Sequence, residues 1–275
     1  MLLICSMKTT ERIILTGILS ILGGFSAFAQ TQSKPVKVSH AEPIFQDLVR
    51  DLGARKGEKE FNLGADFSSG TDYRENGYLA EYEFAPINRL GLEVETDFSF
   101  FTPKNNSSRE QIPGNRLDGI RLSAQYTFFV SERSQTSMAL GYTQVLEFTD
   151  FKNYGRGKFI TSLVYSPFFV AAKKWGSNIH TLVYTYPMIQ HELGEKGTLV
   201  DWQINTSVMY SLPNSSHFIG MEVNKEITHG KMFVTLRPQI KIKLDSHFAV
   251  GIVTGIPVSH DKENVSSFFR LVYEP

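Results

Sequence analysis

The chain has 275 residues, with 28 Lys and Arg balanced by 28 Asp and Glu, a formal net charge of 0 and 12% aromatic residues. That balance excludes a nucleic-acid binder held by bulk positive charge, and beyond the N-terminus no apolar run approaches the roughly 20 residues of a spanning helix. A membrane β-barrel stays open, because alternating strands dilute the hydropathy signal.

In chain order, Lys8 and Arg12 supply positive charge, residues 13–22 an apolar core, and Ala27 and Ala29 small residues before Gln30. This is the layout of a secretory signal cleaved after Ala29. The one cysteine, Cys5, precedes the apolar run. The mature chain is therefore expected to be thiol-free, which suits an oxidising compartment. Residues 30–39 read as a polar linker. Pro43 suits a first helical position, and Ile44, Phe45, Leu48, Val49 and Leu52 recur at spacings of three and four. They predict an amphipathic helix over 44–52, stopped by Gly53 and followed by a charged strip, Arg55 to Lys59. The expected plan is a signal peptide over 1–29, a periplasmic linker and helix over 30–59, and a barrel over 60–275.

From Phe61 onward the pattern changes to period two. Strands are predicted at 61–68, 77–84, 91–101, 117–129, 135–146, 158–169, 178–188, 199–210, 217–227, 232–243, 247–257 and 267–274. The clearest is 92–100, where Leu92, Val94, Thr96, Phe98 and Phe100 oppose Glu93, Glu95, Asp97 and Ser99. In a strand these fall on opposite faces. Further on, Ile120, Leu122, Ala124, Tyr126 and Phe128 oppose Arg121, Ser123, Gln125 and Thr127, and the strands at 199–210 and 232–243 repeat the division. Phe100, Phe101, Phe128, Phe129, Tyr165, Tyr186 and Tyr210 lie near strand ends, where an interfacial aromatic girdle belongs. Short turns are predicted at 85–90, 131–133, 171–176, 213–216 and 245–246. Longer loops are expected at 69–76, 102–116, 149–158, 190–197 and 259–265, with 228–231 short where a long one is due. Short turns at one end and long loops at the other are the habit of outer-membrane barrels.

Two magnitudes orient the faces. A closed ring of about twelve strands is too wide to be filled by apolar side chains, since roughly eight already make a just-filled interior. Soluble sandwich strands average about five to six residues, whereas these run nearer the ten or so that cross a bilayer obliquely. The expected fold is all-β: a closed antiparallel up-and-down transmembrane barrel of about 12 strands, with a short N-terminal amphipathic helix. Its expected setting is the outer membrane of a Gram-negative bacterium, with lipid and the barrel-assembly machinery as partners and no nucleic acid. Phe269, Leu271 and Tyr273 alternate as an assembly signal does, although Glu274 and Pro275 follow the last aromatic.

The candidate site is the inward face. Asp66, Glu81, Glu83, Glu93, Glu95 and Asp97 supply an acidic wall, and Arg121, Arg237, Lys241, Lys243 and Arg270 a basic one. Charges are tolerated there because they face away from lipid. They make either a pore with a transverse field or a lumen stapled shut by salt bridges. Ile44, Phe45, Leu48, Arg50, Arg55 and Lys56 are the expected plug or gate at the periplasmic mouth, with Arg55 and Lys56 pairing with Glu83 or Glu93.

Catalytic residues are not expected. A lipase needs serine and histidine in hydrogen-bond reach on one face, and Ser246-His247 and Ser259-His260 fall in a turn and a loop. His260 and Asp261, with Asp150 or Glu147, form the one pattern a surface protease could use. His180, His191, His217, His229, His247 and His260 are dispersed without metal-ligand spacing and read as solvated or interfacial. No cofactor motif is present.

The run His40-Ala41-Glu42-Pro43-Ile44-Phe45, then Asp47 to Glu58 (DLVRDLGARKGE), resembles the mature N-terminus of HAEPL-type bacterial outer-membrane barrels, a group similar to the MetA-pathway family of phenol degradation. The resemblance covers about twenty residues and implies a barrel near this size that passes small hydrophobic or aromatic compounds. A purine-biosynthesis activity attached to some members has no support here, for the mature chain offers no phosphate-cradling glycine loop and no glutaminase cysteine. The sequence is compatible with three functions: passage or binding of small molecules, a closed structural or adhesive barrel, and a surface hydrolase.

Overall fold

The computed structural model describes residues 35–104, 112–258 and 264–275. The expected signal peptide, residues 30–34 and the loop pair His260 and Asp261 lie outside the described residues. Twelve strands follow one another: β1 Lys59–Ser69, β2 Tyr73–Ile87, β3 Leu90–Pro103, β4 Arg116–Ser131, β5 Thr136–Phe148, β6 Ile160–Trp175, β7 Ile179–Glu192, β8 Leu199–Ser211, β9 Phe218–Thr228, β10 Lys231–Lys243, β11 Phe248–Pro257 and β12 Ser266–Tyr273. Each pairs antiparallel with its sequence neighbours, and β1 pairs with β12 from Phe61↔Tyr273 to Ser68↔Ser266. The sheet is thus a closed barrel, which leaves no strand with an unpaired edge.

The strands outrun their predicted ends at several places. β1 and β2 extend to Ser69 and Tyr73, so the loop expected over 69–76 is only residues 70–72. β6 likewise runs through the turn expected at 171–176 and ends at Trp175. Cross-strand pairing continues wherever a partner strand is available, whatever local polarity says. The turns at 88–89, 132–135, 176–178, 212–217 and 244–247 share one end of the barrel with residues 59 and 273. Among the described residues, the opposite, loop end carries 70–72, 112–115, 149–159, 193–198 and 229–230.

Orientation follows the alternation. Leu63, Val94, Leu122, Leu140, Val208 and Ile219 are exposed on the outside, while Asn62, Glu93, Ser123, Gln125, Ser207 and Gln239 are buried inside. A register shift between Thr127 and Phe129 lets two successive aromatics, Phe128 and Phe129, both face out. Tyr186 departs from the expected girdle. It points into the lumen, where its hydroxyl donates to Gln46 Oε1 at 3.1 Å.

The lumen is occupied by the chain's own N-terminal segment, residues 35–58. Among the described residues that segment holds no helix, only bends and turns, which corrects the helix expected over 44–52. The barrel wall supplies the bonds that a helix would have made internally. Ile44 N donates to Gln239 Oε1 at 2.6 Å, Gln46 N to Glu222 Oε2 at 3.4 Å and Gly53 N to Thr127 Oγ1 at 2.9 Å, while the Arg50 carbonyl accepts from Gln125. With those groups satisfied from outside, the segment has no need of i→i−4 bonds.

Its apolar side chains sit on two inward-facing patches. Leu48, Val49 and Leu52 pack against Ala139, Phe168, Val170, Ala172, Leu182 and Tyr184. Ile44 packs with Met209, Phe218, Val253 and Phe268, and Phe45 lies edge-on to Phe268 with ring centroids 5.7 Å apart. Gly91 and Gly251 give the close approach: a Cβ there would collide with Arg50 and Ile44.

The outward face should resist charge. Leu122 is 44% exposed near the middle of β4. Leu122→Arg is expected to cost about 2–4 kcal/mol of folding free energy in lipid, whereas Ser123→Arg on the neighbouring inward position should not show that depth-dependent lipid penalty. Urea titration of the barrel refolded in vesicles measures both; equal costs that do not change with bilayer thickness would contradict the orientation.

Candidate functional site

Strand pairing puts like charges opposite one another. Glu60 faces Glu83 across β1 and β2, and Glu81 and Glu83 face Glu95 and Glu93 across β2 and β3. Carboxylates directly opposite repel, so this ladder needs counter-charge. Much of it comes from the N-terminal segment. Arg50 Nη1 reaches Glu60 Oε2 at 2.7 Å and Glu83 Oε2 at 3.0 Å, and the guanidinium side chain is 5% exposed. The Asn62 amide donates to Glu60, Glu81 and Glu83 at 3.0, 2.8 and 3.0 Å. Arg270, from β12, pairs with Asp47 of the segment and lies 3.8 Å from Glu81. Arg121 pairs with Glu95 at 3.0 Å and Asp97 at 3.2 Å, within the wall itself.

The expected pairing of Arg55 and Lys56 with Glu83 or Glu93 is therefore corrected: Arg50 takes Glu83. Arg55 and Lys56 lie at the turn end, beyond the reach of the ladder, where their backbone N–H groups bond Glu58 and Asn88. Lys37 anchors the same end, 2.7 Å from Asp51 and 2.8 Å from Glu58. Burial alone would lower the Lys37 ammonium, but these carboxylates raise it. Burial alone would raise Asp51, but Arg50 and Lys37 hold it below the ordinary carboxylate range.

The other basic positions differ in depth. Arg237 is buried at mid-height, with Nε bonded to Asn224 Oδ1 at 2.7 Å and its guanidinium 3.4 Å from the centre of the Phe45 ring. Lys241 and Lys243 lie low on β10 and line a cavity of about 460 Å³ at the turn end with Lys174, His40, His180 and His247. Here the reading of His180 as solvated or interfacial is corrected: it is buried, on the inward face of β7, and bonded to Ala41 N and Ser211 Oγ.

Above the segment a second cavity, about 310 Å³, lies toward the loop end. Eight carboxylates line it, among them Asp66, Glu81, Glu93, Glu95 and Asp97, against two guanidiniums, Arg121 and Arg270. Phe45, Gln46, Asp47 and Val49 of the segment border it together with Phe268 and Tyr184. All six acids expected on the inward wall thus face the lumen, five around this cavity, while Glu83 lies deeper at Arg50. Oxygens of Asp47, Glu81 and Glu83 come within 4.8 Å of one another. The cluster already carries Arg50, Arg270 and the Asn62 amide as donors, which is the chemistry of an ionic staple.

The aromatic and aliphatic lumen patches had no place among the expected site residues. Their signal was present in β6, where 167–172 (Pro-Phe-Phe-Val-Ala-Ala) is apolar on both faces. An inward face that is apolar in a wide barrel requires something to cover it.

No curated protein matches the chain in sequence. Solved structures with a similar fold include the COG4313 outer membrane channel from Pseudomonas putida F1 (TM-score 0.61, 11% identity, 82% of this chain and 97% of that one). The NanC porin (TM-score 0.54, 10% identity, 78% and 99%) and the KdgM porin (TM-score 0.53, 14% identity, 78% and 98%) are also similar. At these identities the likeness concerns the fold, a porin-type barrel. The HAEPLYID-like family model matches residues 36–274, nearly the whole described chain from the luminal segment through β12, and the protein belongs to that family.

Proposed function

We propose that this protein is an outer-membrane channel of Gram-negative bacteria, exported by residues 1–29, that admits small molecules through a well favouring cations and gated by its own N-terminal segment. The observation that carries this reading is the 310 Å³ cavity with eight carboxylates against two guanidiniums. In a narrow well with low-dielectric walls such an excess concentrates cations and repels anions. The KdgM porin has been solved with oligogalacturonate, a carboxylate-bearing sugar; the acidic wall here argues for a different class of solute. Withdrawal of the segment would bare Phe168, Val170, Leu182 and Tyr184 beside the acids. A greasy strip next to an anionic one suits compounds with an apolar or aromatic body and a positive group, and the resemblance to phenol-degradation barrels supports the aromatic part.

The second reading, a closed structural or adhesive barrel, is favoured by how fully the segment's backbone is bonded to the wall. A hydrolase finds no support among the described residues, where His180 meets Ser211 but also accepts from the Ala41 backbone. His247 is bonded to the Glu274 carbonyl.

Two measurements separate the readings. In planar bilayers under a KCl gradient, the reversal potential should show cation preference. Neutralising Glu75 and Glu93, neither of which pairs with an arginine among the described residues, should move the permeability ratio toward one. Arg50→Ala strands Glu60 and Glu83 without their counter-charge, at about 3–5 kcal/mol, and should raise the open probability of a barrel that still shows a heat-modifiable gel shift. Silence from both the native chain and Arg50→Ala establishes the closed barrel, and anion preference overturns the assignment of the well.

A further inference from the structure

The turn-end cavity holds a contact that the channel reading does not use. The Ala41 backbone N–H donates to His180 Nδ1 at 3.0 Å. A backbone amide can only donate, so Nδ1 must offer a lone pair, and the proton of the neutral imidazole resides on Nε2. Nε2 in turn lies 3.2 Å from Ser211 Oγ on β8. His40, the preceding residue of the segment, meets the same imidazole edge-on, with ring centroids 6.3 Å apart. Its Nε2 lies 2.9 Å from Ser137 Oγ on β5, and its Nδ1 is buried without a hydrogen-bond partner.

A second proton on His180 has only Nδ1 to occupy, where it would point at the Ala41 N–H. Two donors then face each other in a buried site, and the bond becomes a repulsion. A second proton on His40 would be a buried donor without an acceptor. The surrounding charge opposes both protonations. Lys174 on β6, Lys241 and Lys243 on β10 and His247 in the turn after it face this cavity, against Glu274 beyond β12 and the segment's own Glu42 and Asp51. Among the described residues neither imidazole has a carboxylate within salt-bridge distance.

We propose that His40 and His180 form a proton-operated latch, holding the N-terminal segment in the lumen while both imidazoles are neutral and releasing it when they are protonated. The inference concerns docking of the segment and not conduction, so it stands or falls separately from the channel reading.

The pH window comes from His40. Burial first, then His180 and Lys174, push it down to about 4 from 6.5, with Asp51 acting weakly the other way. A released imidazole binds protons near 6.5, so the released state holds more protons than the docked one between those limits. Docking is therefore full above about pH 6.5 and weakens as pH falls. The equilibrium drops by up to about tenfold per pH unit for this histidine, roughly 150-fold by pH 4.

The test uses the full chain in lipid, with Cys5→Ser and paired spin labels at Ser39→Cys on the segment and Ser177→Cys in the β6–β7 turn. At pH 7.5 the distance distribution is expected to be narrow, and at pH 4 broad and longer. The double variant His40→Gln, His180→Gln keeps an oxygen acceptor for the Ala41 N–H and cannot be charged at either position, so it should stay narrow at pH 4, which separates the imidazoles from carboxylate titration elsewhere. His180→Arg, charged at every pH, should be broad already at pH 7.5 while the barrel keeps its heat-modifiable gel shift. A native distribution unchanged between the two pH values, a narrow His180→Arg distribution or a broad distribution of the double variant at pH 4 would each overturn the latch.

Discussion

The arrangement of the whole lumen depends on one buried guanidinium. β1, β2 and β3 bring Glu60, Glu83 and Glu93 into register, with Glu81 and Glu95 one pair further up. A closed barrel has no freedom to slide these strands apart, because a one-residue slip would turn every lipid-facing side chain inward. The charge must be met from inside the ring, and Arg50 meets it at 2.7 and 3.0 Å. Removing charges from water is expensive unless the pair is well formed and further hydrogen-bonded; the Asn62 amide supplies those further bonds. The acidic wall and the N-terminal segment are therefore halves of one electrostatic unit.

The same unit divides the lumen along its axis. Toward the loops the carboxylates outnumber their counter-charges, and toward the turns lysines and histidines predominate. A transverse field between an acidic and a basic wall was the expectation from strand order alone. The segment changes that picture, since it fills the middle, pairs the deepest acids with its own Arg50 and leaves an acidic excess toward the loops and a basic one toward the turns. The two ends of the lumen carry opposite signs.

Much of the barrel was legible in the sequence because the signal is redundant: the alternation of Leu122, Ala124 and Tyr126 with Ser123, Gln125 and Thr127 repeats in strand after strand. The segment was legible in its residues but not in its backbone. Ile44, Leu48, Val49 and Leu52 are buried, yet their three-and-four spacing fits a helix as well as a bent strap pressed on two patches. What decides between them is a set of wall donors and acceptors (Gln125, Thr127, Glu222 and Gln239) 70 or more positions further along the chain. The choice of Arg50 over Arg55 and Lys56 was hidden for the same reason, because it depends on depth in the lumen. Tyr186 and His180 were misplaced because β7 carries apolar or amphipathic residues on both faces, so parity gives no inward direction.

The segment is joined to the barrel through residues 55–58, a tether of a few residues into β1. A stopper of this kind, once out of the lumen, cannot diffuse away. Its return is an intramolecular event whose effective concentration is set by the short tether, on the order of millimolar. The occupied fraction of the lumen is then independent of how many copies share a membrane. Under the proposed gating, each barrel would open and close by itself and reset without help from a second protein.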